Sequence, residues 1–197
     1  MIDIVCFLSR PHGFAVLEKL IKIKKFNILK LYTHSLNPKS QDPNRSIRTD
    51  FKLFQQICEQ NNIDLESIDS KESEITSFPN CDYIIEVSWR YLIPTKILSL
   101  ARKDAFGIHR GKLPDYAGAE PIKQALLKND NKIILSAHYL ANKIDMGNVI
   151  DTVEHDVNYD KSKSFEENIQ RLRDEITPFF PQLAISAINV LEEKNSD

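Results

Sequence analysis

Residues 107–118, GIHRGKLPDYAG, carry a short apolar run into a turn broken by Gly111, Pro114 and Gly118, with His109 at the junction. The preceding AFGIH (105–109) has the length and composition of a buried strand, and the glycines and proline end it. Downstream, 120–128 reads as a helix, 132–139 as a strand and 146–157 as a strand or hairpin. The segment from 164 to about 193 reads as helical, interrupted at Pro178 and Pro181. Upstream, 94–102 opens with proline as helices do, 83–87 is a buried strand and 64–68 a shorter one. A helix at about 47–61 follows a polar loop, and 26–34 is a strand. An amphipathic helix over 14–25 follows the apolar strand 2–8. Strand and helix alternate throughout, which predicts an α/β chain with a mostly parallel sheet flanked by helices. With no repeat or linker in view, a single domain over 1–197 is expected, its C-terminal part helical.

The length of 197 residues suffices for one substantial core. Twenty-six basic residues against 28 acidic ones, net −2, leave no basic surplus for nucleic acid, so a small molecule is the expected partner. The N-terminal MIDIVCFLSRPHGF has no basic leader, and no segment approaches the roughly 18 apolar residues of a membrane span. A cytoplasmic protein, not membrane-bound, is expected. Cys6, Cys58 and Cys81 lie far apart without metal-ligand spacing, so reduced thiols and no metal are expected.

In parallel α/β sheets, ligands gather beyond the carboxyl ends of strands, where His109 stands. The strand over 132–139 leads into LANKIDMGN (140–148), which carries Asp145 and Gly147. Two consecutive strand ends are thus expected to bring an imidazole and a carboxylate to one sheet edge. There the carboxylate orients the ring and favours its charged form.

SWRYLIP (88–94), GIHRGKLPDYAGAEPI (107–122) and SAHYLANKIDMGNVI (136–150) resemble the folate-dependent formyltransferases. That family includes glycinamide ribonucleotide, methionyl-tRNA and sugar-nucleotide formyltransferases. Its signature is Asn-x-His, then a Ser-Leu-Leu-Pro-type loop with a downstream aromatic and glycine, then an aspartate in an Ile-Asp-x-Gly context. His109, Leu113, Pro114, Tyr116, Gly118 and Pro121 fall on the first motif, and Asp145, Gly147 and Ile150 on the second. His109 and Asp145 stand 36 positions apart, as the family spacing requires. The match covers 84 to about 151, and the rest agrees in element order.

The resemblance implies a Rossmann-like fold of the formyltransferase catalytic-domain type. It implies an enzyme that moves the formyl group of 10-formyltetrahydrofolate onto a primary amine, without a metal. His109 and Asp145 are then the catalytic pair. Trp89, Arg90, Tyr91 and Leu92, with Asn142, Lys143 and Ile144, match the segments that hold the pterin, Trp89 and Tyr91 as an apolar wall. Ser9, Arg10, His12 and Gly13, at the start of a helix, and Arg110 and Lys112 are candidate contacts for an anionic acceptor. The N-terminal loop lacks the Gly-Ser-Asn turn of glycinamide ribonucleotide enzymes, and 197 residues leave no room for the extra C-terminal barrel of methionyl-tRNA enzymes. A phosphorylated or nucleotide-linked amine is therefore the expected acceptor.

One departure bears directly on catalysis. The family asparagine, which helps hold the formyl oxygen, is Gly107 here. Losing one such donor costs about two to three orders of magnitude in rate, unless Arg110, Lys112 or a water replaces it. Two other readings stay open at this point: a hydrolase releasing formate from the same folate, and a weak or inactive binding protein. His138 reads as packing within the sheet, and His12, His34 and His155 otherwise as surface residues.

Overall fold

The first strand, β1 (Ile2–Leu8), explains the architecture of the N-terminal half: Ile4 to Leu8 are all fully buried, so this strand is covered on both faces. The structure is a computed structural model, and it describes residues 1–195. Two compact units divide the chain, Met1–Ala105 and Phe106–Asp197.

In the first unit, β1 pairs in parallel with β2 (Phe26–Thr33) on one side and β4 (Cys81–Val87) on the other. β3 (Asp64–Ser67) continues the parallel order beyond β2. Phe7 stacks on Tyr32 with ring centroids 4.6 Å apart, tying β1 to β2 through their side chains. Helix α1 (Arg10–Ile21) buries Val16, Leu17 and Leu20. It starts four residues before the apolar spacing predicts, because "RPHG" is the first turn and not a break. Proline costs nothing where no intrahelical N–H bond is made. Gly13 lets the helix lie close: a Cβ there would stand 3.3 Å from Leu8 Cβ. Helix α2 (Phe51–Gln60) turns Phe54 and Cys58 inward.

The helix expected over 94–102 is only one turn, α3 (Thr95–Leu98), and β5 (Ala101–His109) begins at once. The sequence concealed this start because Arg102, Lys103 and Asp104 open the strand with charge. Arg102 is matched at 3.1 Å by both Asp3 and Asp82, which satisfies a cation that would otherwise argue against a strand.

In the second unit, the end of β5 pairs antiparallel with β6 (Lys132–Tyr139), and β6 antiparallel with β7 (Val149–Asp156). Helix α4 (Pro121–Leu127) lies between β5 and β6 in sequence. Helix α5 (Phe165–Ile176) opens with a capping box between Ser164 and Glu167. Pro178 separates it from α6 (Phe179–Lys194), while Pro181 is absorbed in the first turn of α6. Phe180, Leu183, Ala184, Ala187, Ile188 and Leu191 form the buried stripe of α6.

The strand order β3-β2-β1-β4-β5-β6-β7 makes this an α/β fold of Rossmann-like type, with the parallel pairings concentrated at β1 to β4.

Candidate active site

In the second unit, antiparallel pairing changes how the two catalytic candidates meet. Tyr139, the end of β6, lies opposite Phe106, while His109 lies opposite Ser136. The ends of β5 and β6 therefore point in opposite directions, and the expectation that they share one sheet edge is corrected. Asp145 reaches His109 because the 140–148 loop folds back. Tyr139 N–H donates to Asn148 O at 3.0 Å, closing that loop, and Asp145 adopts a left-handed φ of 55° at its turn. Aspartate tolerates this conformation better than most residues.

The result is a three-residue cluster. Asp145 Oδ2 lies 3.3 Å from His109 Nδ1 and accepts a hydrogen bond from Gly118 N–H at 3.0 Å. Its Oδ1 lies 3.6 Å from His138 Nε2. His109 Nε2 meets the Tyr116 carbonyl oxygen at 2.7 Å. A carbonyl only accepts, so Nε2 carries its hydrogen, and Nδ1 is the ring nitrogen that faces the carboxylate. The backbone thus fixes which ring nitrogen faces Asp145. His138 is built in the same way: its Nδ1 donates to Tyr139 O at 3.1 Å, and its buried Nε2 has no hydrogen-bond partner. Burial favours a neutral His138, against the pull of Asp145.

Two small residues make this possible. A Cβ on Gly111 would stand 2.5 Å from Pro121 Cβ and 3.0 Å from both His109 Nε2 and Tyr116 O, so only glycine leaves that hydrogen bond room. Ser136 clamps the same loop, donating to Gly111 O at 2.9 Å and accepting from Leu113 N–H at 3.2 Å.

Gly107 is buried and lies directly opposite His138. Residues directly opposite in a sheet project from the same face, as do residues two apart. His109, Ser136, His138 and the vacant position at Gly107 therefore share a face. The reading of His138 as a packing residue missed its contact with Asp145, for which the β5–β6 register was needed. Of the acceptor candidates here, Lys112 is tied to Asp115 at 2.7 Å and Arg110 is half-buried. Asn142, Lys143 and Ile144 are exposed, and Ile144 and Met146 flank Asp145 with about three-fifths of their surfaces open.

In the first unit, Ser88 leaves β4 with a left-handed φ of 61°, and Trp89, Arg90 and Tyr91 follow, half-buried. Trp89 sits edge-on to Phe7 at 5.0 Å and stacks on His34 at 4.0 Å. Leu92 is 48% exposed. At the start of α1, the buried Ser9 hydroxyl accepts from Arg48 at 2.5 Å, and Arg10 donates to Gln41 at 3.1 Å. His12 is buried, as is Gly13, and His34 is wholly inaccessible. The surface reading of His12 and His34 is thus corrected. His155 is half-buried against Glu175 at 2.8 Å.

Burial pushes the His34 imidazole down to about 3 from 6.5. The unfolded chain binds this proton as pH falls below 6.5 and the native chain does so only near 3, so stability drains on acidification. From pH 7 to 5 this group alone should cost about 2 kcal/mol, at about 1.4 kcal/mol per pH unit per proton. Urea unfolding at the two pH values checks this; an unchanged midpoint would mean that His34 is not a buried neutral group.

Among the described residues no cluster of His, Cys, Asp or Glu is arranged to hold a metal ion, and no helix is long and apolar enough to cross a membrane.

A model of the formyl transferase family matches residues 9–183. The chain is 26% identical to methionyl-tRNA formyltransferase of Thermotoga neapolitana over 197 residues, covering 98% of this chain and 62% of that protein. The chain thus spans about three-fifths of the length of that curated relative. Its fold matches phosphoribosylglycinamide formyltransferase of Streptococcus pneumoniae TIGR4 with a TM-score of 0.64 and 15% identity, over 95% of this chain and 99% of that one. It also matches a sugar 3N-formyl transferase solved with dTDP and 5-N-formyl-THF, with a TM-score of 0.58 and 19% identity, over 96% of this chain and 64% of that one. A family match across most of the sequence, joined to a fold common to its enzymes, establishes that the chain belongs to the formyl transferase family.

Proposed function

We propose that this chain transfers the formyl group of 10-formyltetrahydrofolate to a primary amine on a phosphorylated or nucleotide-linked small molecule. The observation that carries this reading is the His109–Asp145 pair at 3.3 Å, with His109 Nε2 tied to a backbone carbonyl. The folate supplies an electrophilic formyl carbon. The reaction then asks the protein for positive charge near an oxygen that gains negative charge, and for a place to put the proton that the amine loses. His109 answers the first demand in this reading, as the imidazole that the Tyr116 carbonyl holds against the Asp145 carboxylate. Asp145 answers the second: its Oδ1 faces His138, whose bare Nε2 gives the proton a further place to rest.

This arrangement also bears on Gly107. The group beside the missing asparagine side chain is His138, cross-strand from Gly107, and not the paired Lys112. His138 is thus the better substitute for the lost polar group.

Trp89, Arg90, Tyr91 and Leu92, with Asn142, Lys143 and Ile144, would hold the folate. Each segment by itself suits contact with a flat, partly apolar ring: in the first unit Trp89 and Tyr91 are aromatic and half-buried, and in the second Ile144 and Met146 offer exposed apolar surface beside Asp145. Arg10 and the N-terminal end of α1 favour an anionic acceptor, while the buried Ser9 is held by Arg48, itself paired with Asp50 at 2.7 Å, and both shape this end without reaching the acceptor. His12 and Gly13 are buried and would shape this end of the helix without touching the acceptor. The chain's net charge of −2 argues for a small acceptor over a nucleic acid.

Calorimetry with 5-formyltetrahydrofolate tests the cofactor, and an amine screen with 10-formyltetrahydrofolate tests the reaction. Saturable binding that weakens in Asp145→Ala, and formate-free turnover that requires an amine, are expected. Turnover without any amine would identify a hydrolase. Absence of binding at millimolar ligand would sink the enzyme assignment.

A further inference from the structure

His34 is fully buried, and every edge of its ring is used. Nδ1 meets the Ile68 carbonyl oxygen at 2.5 Å, so the ring hydrogen sits on Nδ1. Nε2 is then a bare acceptor, and it receives the Arg90 backbone N–H at 3.2 Å. One face stacks on Trp89 at 4.0 Å, with ring planes 21° apart, and Tyr91 stands edge-on at 5.3 Å. The backbone carbonyl of His34 accepts from the buried Arg48 at 2.7 Å. One imidazole at the end of β2 therefore touches three consecutive residues after β4.

We infer that His34 is the positioning residue of the 89–91 segment, a neutral strut that sets its orientation before any ligand arrives. This rests on the reading that the segment takes part in holding the folate. Few side chains meet the demands of the place. It requires a donor for Ile68 and an acceptor for Arg90 on one flat ring, plus a face for the indole. Phenylalanine keeps the face and loses both polar groups. Glutamine keeps an acceptor and a donor on a chain of similar reach.

The need for such a strut is local. Ser88 leaves the strand in a left-handed conformation, which is strained for a residue with a side chain. The Trp89 amide is already committed to the Glu86 carboxylate at 2.7 Å, and His34 commits the next one. Tyr91 is fixed in turn by its hydroxyl, which donates to Asp69 O at 2.8 Å. Asp69 also faces Arg90 at 4.0 Å and accepts from the Leu36 amide at 2.9 Å, so β2, β3 and the segment after β4 are laced at one corner of the first unit. A ligand that reads the backbone of this segment meets a shape that His34 has set.

Trp89 is the only tryptophan in the chain, so its fluorescence reports this corner alone. The test compares the full-length wild type with His34→Phe and His34→Gln. It reads Trp89 emission, hydrogen exchange at the Arg90 amide, 5-formyltetrahydrofolate affinity and, at saturating folate, kcat. His34→Phe should shift the emission, expose the Arg90 amide to exchange and weaken folate binding about tenfold, the worth of one or two unmade buried hydrogen bonds. Its kcat at saturation should stay within about threefold, because the reacting groups are untouched. His34→Gln should recover most of the affinity.

Folate affinity unchanged in a folded His34→Phe overturns the proposal, and so does a kcat loss as large as the KM change. If His34→Phe does not fold, His34→Gln decides: wild-type affinity with a protected Arg90 amide supports the strut, and fast exchange with unchanged affinity overturns it. If the wild type binds no folate, the cofactor reading fails by itself. Exchange at Arg90 in the two variants then still reports whether His34 orders the segment.

Discussion

Asp145→Asn is expected to lower turnover by about 10²–10⁴-fold, the usual worth of a positioned acid–base group, while the protein folds normally. The substitution is chosen for what it preserves. The amide oxygen can still accept from Gly118 N–H, which bonds Asp145 at 3.0 Å, so the loop keeps its tie. What disappears is the charge facing His109 Nδ1. Asp145 Oδ2 is the atom that meets both Gly118 N–H and His109 Nδ1, so the amide oxygen that keeps the Gly118 tie stands before Nδ1 in the carboxylate's place without its charge, while the Tyr116 carbonyl still holds Nε2. The ring keeps its Tyr116 anchor and loses the carboxylate charge beside it.

His109→Ala should cost at least as much. The double variant should cost little more than the worse single one, since the two residues act as a unit. Steady-state turnover of the four proteins, with melting curves alongside, measures this coupling. If the single losses multiply, the pair does not work as one device. If Asp145→Asn retains full activity, the proposed chemistry is wrong.

The parts legible in the sequence were those that a local pattern specifies. β1 and β6 have the boundaries that the sequence predicts, since each is a mostly apolar stretch that a turn follows. β5 was read four residues short, because its charged opening is reconciled with a strand only by Asp3 and Asp82, remote in sequence. Strand direction is not written locally at all. The alternation of strand and helix predicts a mostly parallel sheet, as found, but not that β5–β6 and β6–β7 are its antiparallel pairs.

The candidate site divides along the same line. His109 and Asp145 could be paired from motif spacing, but the route by which Asp145 arrives, back along a folded loop, could not. His138 became visible only through the register that sets it opposite Gly107. His34 looked like a surface residue because it precedes a polar loop; its burial comes from Ile68 and Trp89, contacts distant in sequence.

Gly147→Ala should do as much damage as removing a catalytic group, and for a purely steric reason. A Cβ at this position would stand 1.7 Å from the Tyr139 carbonyl oxygen and 2.7 Å from its carbon. These are backbone atoms, so no side-chain rotation relieves the clash. The Tyr139 N–H to Asn148 O bond at 3.0 Å is made by the same two segments, so parting them breaks the closure of the loop. Asp145 lies two residues before Gly147, in a left-handed turn, so a shift of Gly147 is passed on to it within one short stretch of backbone. A displacement of about 1 Å between reacting groups is enough to cost about 10²-fold in rate. Stability should fall by about 1–3 kcal/mol, as for other overpacked sites. The comparison with Asp145→Asn separates the causes: Asp145→Asn removes charge from an intact loop, and Gly147→Ala leaves the charge and moves the loop. Wild-type turnover in Gly147→Ala would mean that Asp145 reaches His109 without the loop folding against Tyr139, and the geometry assigned to the pair would have to be abandoned.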